Sequence, residues 1–156
     1  MTQVAAQVEF FSGSYEPAKE LYLKLLKSDA GGGGSFYGAV TYQSALGRID
    51  QALGADDEAT RFLQASLAAE TAAFTLQPRN SEAAYRLAAV EACLKQPDTA
   101  LEHLQQAIAL GWLDYRSLLR DPRFDSIRSH PEYKTLIDGL SAKVAELRNT
   151  HQDQIR

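Results

Sequence analysis

Gly31 to Gly34 form an unbroken glycine run, the composition of loops that cradle phosphate with backbone N–H groups. A phosphate loop needs a strand before the run and a lysine followed by Ser or Thr close behind it. Here a helical pattern precedes the glycines, and Ser35-Phe36-Tyr37 follows without a lysine. The run reads as a flexible connector, with Ser35 as the N-cap of the next helix. His103, His130 and His151 are far apart and lack partners at metal-ligand spacing, so they read as solvated or locally bonded. His103 is expected on the exposed side of its helix, and His130 sits in the turn before Pro131. Cys93 shares a helix face with Ala89 and has no histidine nearby in sequence, which predicts a buried thiol rather than a nucleophile. Glu9, Asp50 and Glu91 could supply carboxylates for acid–base chemistry, but a second catalytic partner is missing. They are expected to be solvated or paired with Arg48 or Arg86. No catalytic, cofactor-binding or metal-binding residue emerges from these patterns.

The elements that position these residues are helices. Ala and Leu dominate, β-branched residues are sparse, and no stretch alternates long enough for a strand. "AKELYLKLL" places Leu21, Tyr22, Leu25 and Leu26 on one stripe, and "TALEHLQQAIAL" repeats the pattern. Breakers divide the chain into helices expected at 2–12, 15–28, 36–53, 57–77, 81–95, 98–110, 114–120 and 131–148. Ser81 is the expected N-cap of the fifth, and Pro97 opens the sixth, where its missing N–H costs nothing.

With 156 residues the chain suits one domain. A net charge of −4 argues against nucleic acid as the main partner, since phosphate backbones require a basic face. The longest apolar runs fall short of a membrane span, and "MTQVAAQVEFFSGSYEPAKE" lacks the basic start and apolar stretch of a signal peptide. The single cysteine rules out an internal disulfide and fits a reducing compartment, so a cytoplasmic location is expected.

A repeat runs through the first two thirds of the chain. Ala18, Ala59 and Ala100 are 41 residues apart, and the same offset links Ala6, Gly47 and Ala88. It also links Tyr22, Leu63 and Leu104, and then Leu26, Leu67 and Ile108. Small residues at helix crossings, with larger apolar ones a turn away, are what close helix packing requires.

This register resembles the tetratricopeptide repeat. The best copy is "SEAAYRLAAVEACLKQPDTALEHLQQAIALGW", where Leu87-Ala88 match the apolar-then-small pair of the first helix and Ala100, Leu104 and Ala107 match the second. "SGSYEPAKELYLKLL" and "YQSALGRIDQALGADDEATRFLQ" supply the other two copies. The chain departs from the family in its period, 41 residues rather than the usual 34 or so. It also has Glu9, Asp50 and Glu91 where the family carries a large aromatic late in the first helix. The tail "GWLDYRSLLRDPRFDSIRSHPEYKTLIDGL" resembles the segment that closes such arrays in bacterial multidomain regulators and kinases. Leu118, Leu119, Phe124, Ile127, Tyr133, Leu136 and Ile137 form its expected apolar side, with Trp112 as a plug between array and cap.

The resemblance implies an all-α helical-repeat solenoid of about three helix pairs with a C-terminal cap. The repeats would occupy 2–28, 36–77 and 81–112, the cap 113–148, and 149–156 a fraying tail. It implies a non-catalytic scaffold or adaptor that binds a protein or peptide on a concave face. Carried over position by position, that face comprises Gln3, Gln7, Phe10, Ser44, Arg48, Gln51, Glu82, Tyr85, Arg86 and Ala89. Arg48, Tyr85 and Arg86 would contribute most, since Arg and Tyr carry a disproportionate share of interface energy. The chain starts within a first repeat helix, which would leave Phe10 and Phe11 poorly covered and suggests excision from a larger protein or a homodimer through that face. A competing expectation is a small-molecule sensor or enzyme accessory domain with a deep polar cavity near Trp112 and Tyr115. A nucleic-acid-binding repeat would require Arg48, Arg61, Arg79 and Arg86 on one face.

Overall fold

A computed structural model describes residues 1–28 and 39–153, with side chains to His151; the glycine connector and Ser35 lie outside them. Among the described residues the chain is all-helical. Helices α1 (Thr2–Ser12) and α2 (Tyr15–Ser28) form a first hairpin, α3 (Tyr42–Leu53) and α4 (Asp56–Leu76) a second, and α5 (Ser81–Cys93) and α6 (Pro97–Ala109) a third. Each of these six packs on its neighbours along the chain. Then come α7 (Tyr115–Arg120), a short 3-10 segment (Pro122–Ile127) and the long α8 (Pro131–Asp153).

The 41-residue period is written into the backbone. Gly13 and Gly54 end α1 and α3 in the left-handed region, at φ 81° and 76°, and Lys95 takes the same place after α5 at φ 58°. The turn hydrogen bonds repeat with it. The N–H groups of Ser14, Ala55 and Gln96 donate to the carbonyls of Glu9, Asp50 and Glu91, each at 2.9–3.0 Å. The packing columns repeat as well. Ala18, Ala59 and Ala100 are buried, as are Ala6, Gly47 and Ala88, and Tyr22, Leu63 and Leu104, whereas Leu26, Leu67 and Ile108 are all half-buried. At the second crossing a Cβ on Gly47 would stand 2.6 Å from Leu63 Cγ, closer than any methyl tolerates.

Several boundaries depart from expectation. α3 begins at Tyr42 rather than at residue 36, because Ala39 sits at φ 45° and Thr41 is extended. The N-cap of α5 is Asn80, not Ser81: its side chain accepts from the N–H groups of Glu82 and Ala83 and so satisfies two otherwise orphaned donors. α8 continues to Asp153 instead of fraying after 148.

Two apolar clusters result. The first, around Phe10, Tyr22, Tyr42, Leu46 and Ile49, joins α1, α2 and α3. The second joins α5, α6, the 3-10 segment and α8 around Tyr85, Leu104, Phe124 and Tyr133. Phe10 is fully buried, edge-on to Tyr22 at 6.1 Å, contrary to the expectation of poor cover. The exposed large apolar residues of α1 are Val4 and Val8, on its opposite side.

Candidate functional site

The inner face read from the sequence is occupied by the chain itself. The 3-10 segment packs on α3 and α5, and its polar groups engage the residues expected to meet a partner. Asp121 and Arg123 form an ion pair at 2.6 Å with both side chains at 0% exposure. The hydroxyl of Tyr85 donates to Asp121 Oδ2 at 2.9 Å. Arg123 donates through Nη1 to the Ala39 carbonyl and to Ser44 Oγ, at 3.2 and 3.1 Å. Asp121 also accepts from the Arg123 backbone N–H, an Asp-Pro-Arg turn that caps the short segment. Burial opposes the guanidinium charge of Arg123, yet Asp121 beside it holds the pKa above the ordinary arginine value.

The outer rim of this cluster is charged. Arg48 donates through Nε to the Pro122 carbonyl at 2.9 Å and pairs with Asp125 at 3.0 Å. Arg128 pairs with the same carboxylate at 2.8 Å. Gln51 donates to the Cys93 carbonyl at 2.8 Å, and Ser126 Oγ to that of Ala92 at 2.6 Å. Ala89 is buried. The structure thus brings Ser44, Arg48, Gln51, Tyr85 and Ala89 together, around a segment of the same chain. Arg86 lies elsewhere, donating to Glu70 and Glu82 at 2.8 Å each. On α1, Gln7 and Phe10 are buried and Gln3 is half-buried.

The carboxylates pair differently than expected. Asp50 is buried and reaches Lys19 of α2 at 2.7 Å, and Glu91 meets His103 of α6 at 2.7 Å. The Glu91 hydrogen bond raises the His103 pKa above the ordinary imidazole value, and of the two readings the sequence left open, solvated or locally bonded, this histidine takes the second. His130 lies 3.0 Å from Glu132. No group of three or more metal-ligating side chains exists among the described residues. The Cys93 thiol is buried, and burial pushes its pKa up to about 12, which removes the thiolate at neutral pH. Trp112 is half-buried and stacks on Tyr85 at 4.1 Å, between α5 and the C-terminal segment.

One open surface is a groove of about 620 Å³ between α1 and α7. Val4, Val8 and Leu119 line it at 49, 61 and 46% exposure, with Phe11 and Tyr115 beside them. Leu119 is expected from the sequence on the buried side of the cap; instead α7 buries Leu118 and turns Leu119 to this groove. Arg116 and Arg120 complete the wall, both exposed and neither in an ion pair with any described residue. Sequence reasoning missed the Asp121–Arg123 pair and the arginine wall. The signal for the first was the density of charge in "RDPRFDSIR", too high for a purely apolar cap.

No protein-family model, curated protein or solved structure matches the chain. Among the described residues the chain is all-α, with an internal 41-residue period and an open apolar groove between α1 and α7. No helix of the described residues is long and apolar enough to cross a membrane.

Proposed function

We propose that this chain is a non-catalytic protein-interaction module of tetratricopeptide-like architecture, and that it docks a partner protein in the α1–α7 groove. The observation that carries this reading is the exposed side of α1. Helix α1, "TQVAAQVEFFS", has a single charged residue, Glu9, and two apolar sides, one buried through Ala6 and Phe10 and one carrying Val4 and Val8. Yet Val4 and Val8 face outward into a groove whose other wall, Leu119, is equally bare. Contiguous apolar surface of this kind marks interaction sites. The resemblance of the 41-residue register to repeat modules of larger bacterial regulators supports the same reading. The groove is an open trough whose one buried polar side chain is Gln7, which favours a macromolecule over a small molecule held by several converging groups in a deep pocket.

The test is affinity capture from a bacterial lysate with the wild-type chain, Val8→Glu and Arg48→Glu in parallel. The expected result is a protein held by wild type and by Arg48→Glu and lost with Val8→Glu. Retention by Val8→Glu would remove the groove from the binding surface.

A further inference from the structure

We infer that the occupant of the α1–α7 groove is an acidic amphipathic helix of another protein. The inference rests on the docking reading above and adds the chemistry of the partner. The lining is mostly apolar, with Val4, Val8 and Phe11 around Gln7 on α1 and Leu119 opposite, so the occupant presents a hydrophobic stripe. The wall is basic: Arg116 and Arg120 stand four residues apart on α7. One helical turn separates such residues, so both project along one edge of the trough. No carboxylate lines the groove. Four other arginines, Arg48, Arg86, Arg123 and Arg128, are each neutralised by an acidic side chain. Arg116 and Arg120, like Arg61, Arg79 and Arg148, are in no ion pair with a described residue, and of these five only Arg116 and Arg120 line the groove.

Two helices make the walls, and no strand edge is present among the described residues, so backbone addition of an extended peptide has nothing to pair with. A helix seated lengthwise matches the trough instead, with apolar residues at i, i+3 or i+4 and i+7 toward α1. Carboxylates on the flank of that helix would reach the two guanidinium groups, whose fork geometry suits them. A second copy docking through its own α1 is the poorer occupant. Its exposed α1 stripe, from Met1 through Val4 and Val8, has no carboxylate of its own beyond half-buried Glu9.

The experiment uses three designed helical peptides with one common leucine stripe and Glu, Gln or Lys on the flank, titrated against the full chain by fluorescence anisotropy. Two exposed charge pairs are worth about tenfold in affinity between the Glu and Gln peptides, with the Lys peptide weaker still. Added salt should compress that ranking, and Arg116→Glu/Arg120→Glu should invert it. Equal binding of all three peptides, lost only with Val8→Glu, would overturn the acidic specificity while leaving the docking groove standing. No binding by any peptide, with no effect of Val8→Glu in the capture experiment, would bring down both. Sedimentation showing a dimer that Val8→Glu dissociates would assign the groove to a second copy and overturn the inference. Val8 is exposed and its substitution leaves the core intact, so circular dichroism of Val8→Glu should match wild type.

Discussion

Helices α1 and α5 hold equivalent places, each the first of its hairpin, yet they end in opposite conditions. α5 buries 10 of its 13 residues, and α1 buries 3 of 11. The difference lies less in the helices than in what covers them. α5 is covered by α4, α6 and the 3-10 segment, whereas α1 has α2 on one side and the open groove on the other. The two helices therefore show where cover is supplied by the chain and where a face stays open, the face proposed to take a partner. The cover on α5 is held by a buried polar cluster, Asp121, Arg123 and Tyr85, that only a fully satisfied network tolerates.

The sharpest way to break this contrast is Asp121→Ala. It strips the partner from a buried guanidinium and the acceptor from Tyr85, at a cost of about 3–5 kcal/mol in urea unfolding. Val8→Glu on α1 should change stability by only about 0.5 kcal/mol or less. A comparable loss from both would mean that the exposed face of α1 matters to the fold no less than the 3-10 segment does. Gly47→Ala tests the crossing of α3 and α4. The added methyl meets Leu63, and overpacking of this kind should lower stability by about 1–3 kcal/mol, whereas Ala6 and Ala88 already hold a methyl in the same column.

The pair of Glu91 and His103 sharpens the comparison through pH. The folded pKa of His103 is raised, so its contribution is fully present below the unfolded value, about 6.5, and fades as pH rises through the folded one. Wild type should therefore exceed His103→Gln in stability by about 0.5–1 kcal/mol near pH 6 and by less near pH 9. Thermal melts of both proteins at the two pH values measure this. The smallest effect is a gain. Lys95 occupies the left-handed place that glycine takes after α1 and α3, so Lys95→Gly should raise stability by up to about 1 kcal/mol. An unchanged or lower melting temperature would show that the Lys95 side chain offsets its backbone strain.

The hairpins and their period were legible because they rest on local chemistry. Small residues, turn glycines and apolar stripes recur every 41 positions, and the turns and crossings repeat with them. Burial of Cys93 followed from the helix face it shares with Ala89, and that of Leu118 from the resemblance of the tail to a capping segment. The inner face was not legible, because its occupant lies far along the chain. Arg48 reaches Pro122 and Asp125, and Ser44 reaches Arg123, across more than 70 residues that no local pattern connects. Tyr85 and Arg48 have the composition of a binding face because they do bind, to the chain's own segment. Leu119 was misplaced for a related reason: a six-residue helix has too few turns for periodicity to separate its buried and open sides.

The contrast between the covered and the open helix is tested most directly by titrating the Glu-flanked peptide into isotope-labelled protein and mapping amide chemical shifts. The expected shifts fall at Val4, Val8, Leu119 and Arg120, with Ser44, Tyr85 and Ala89 unmoved. Shifts concentrated at Ser44, Arg48 and Tyr85 would contradict the contrast, since they would mean that the partner displaces the 3-10 segment and binds the inner face.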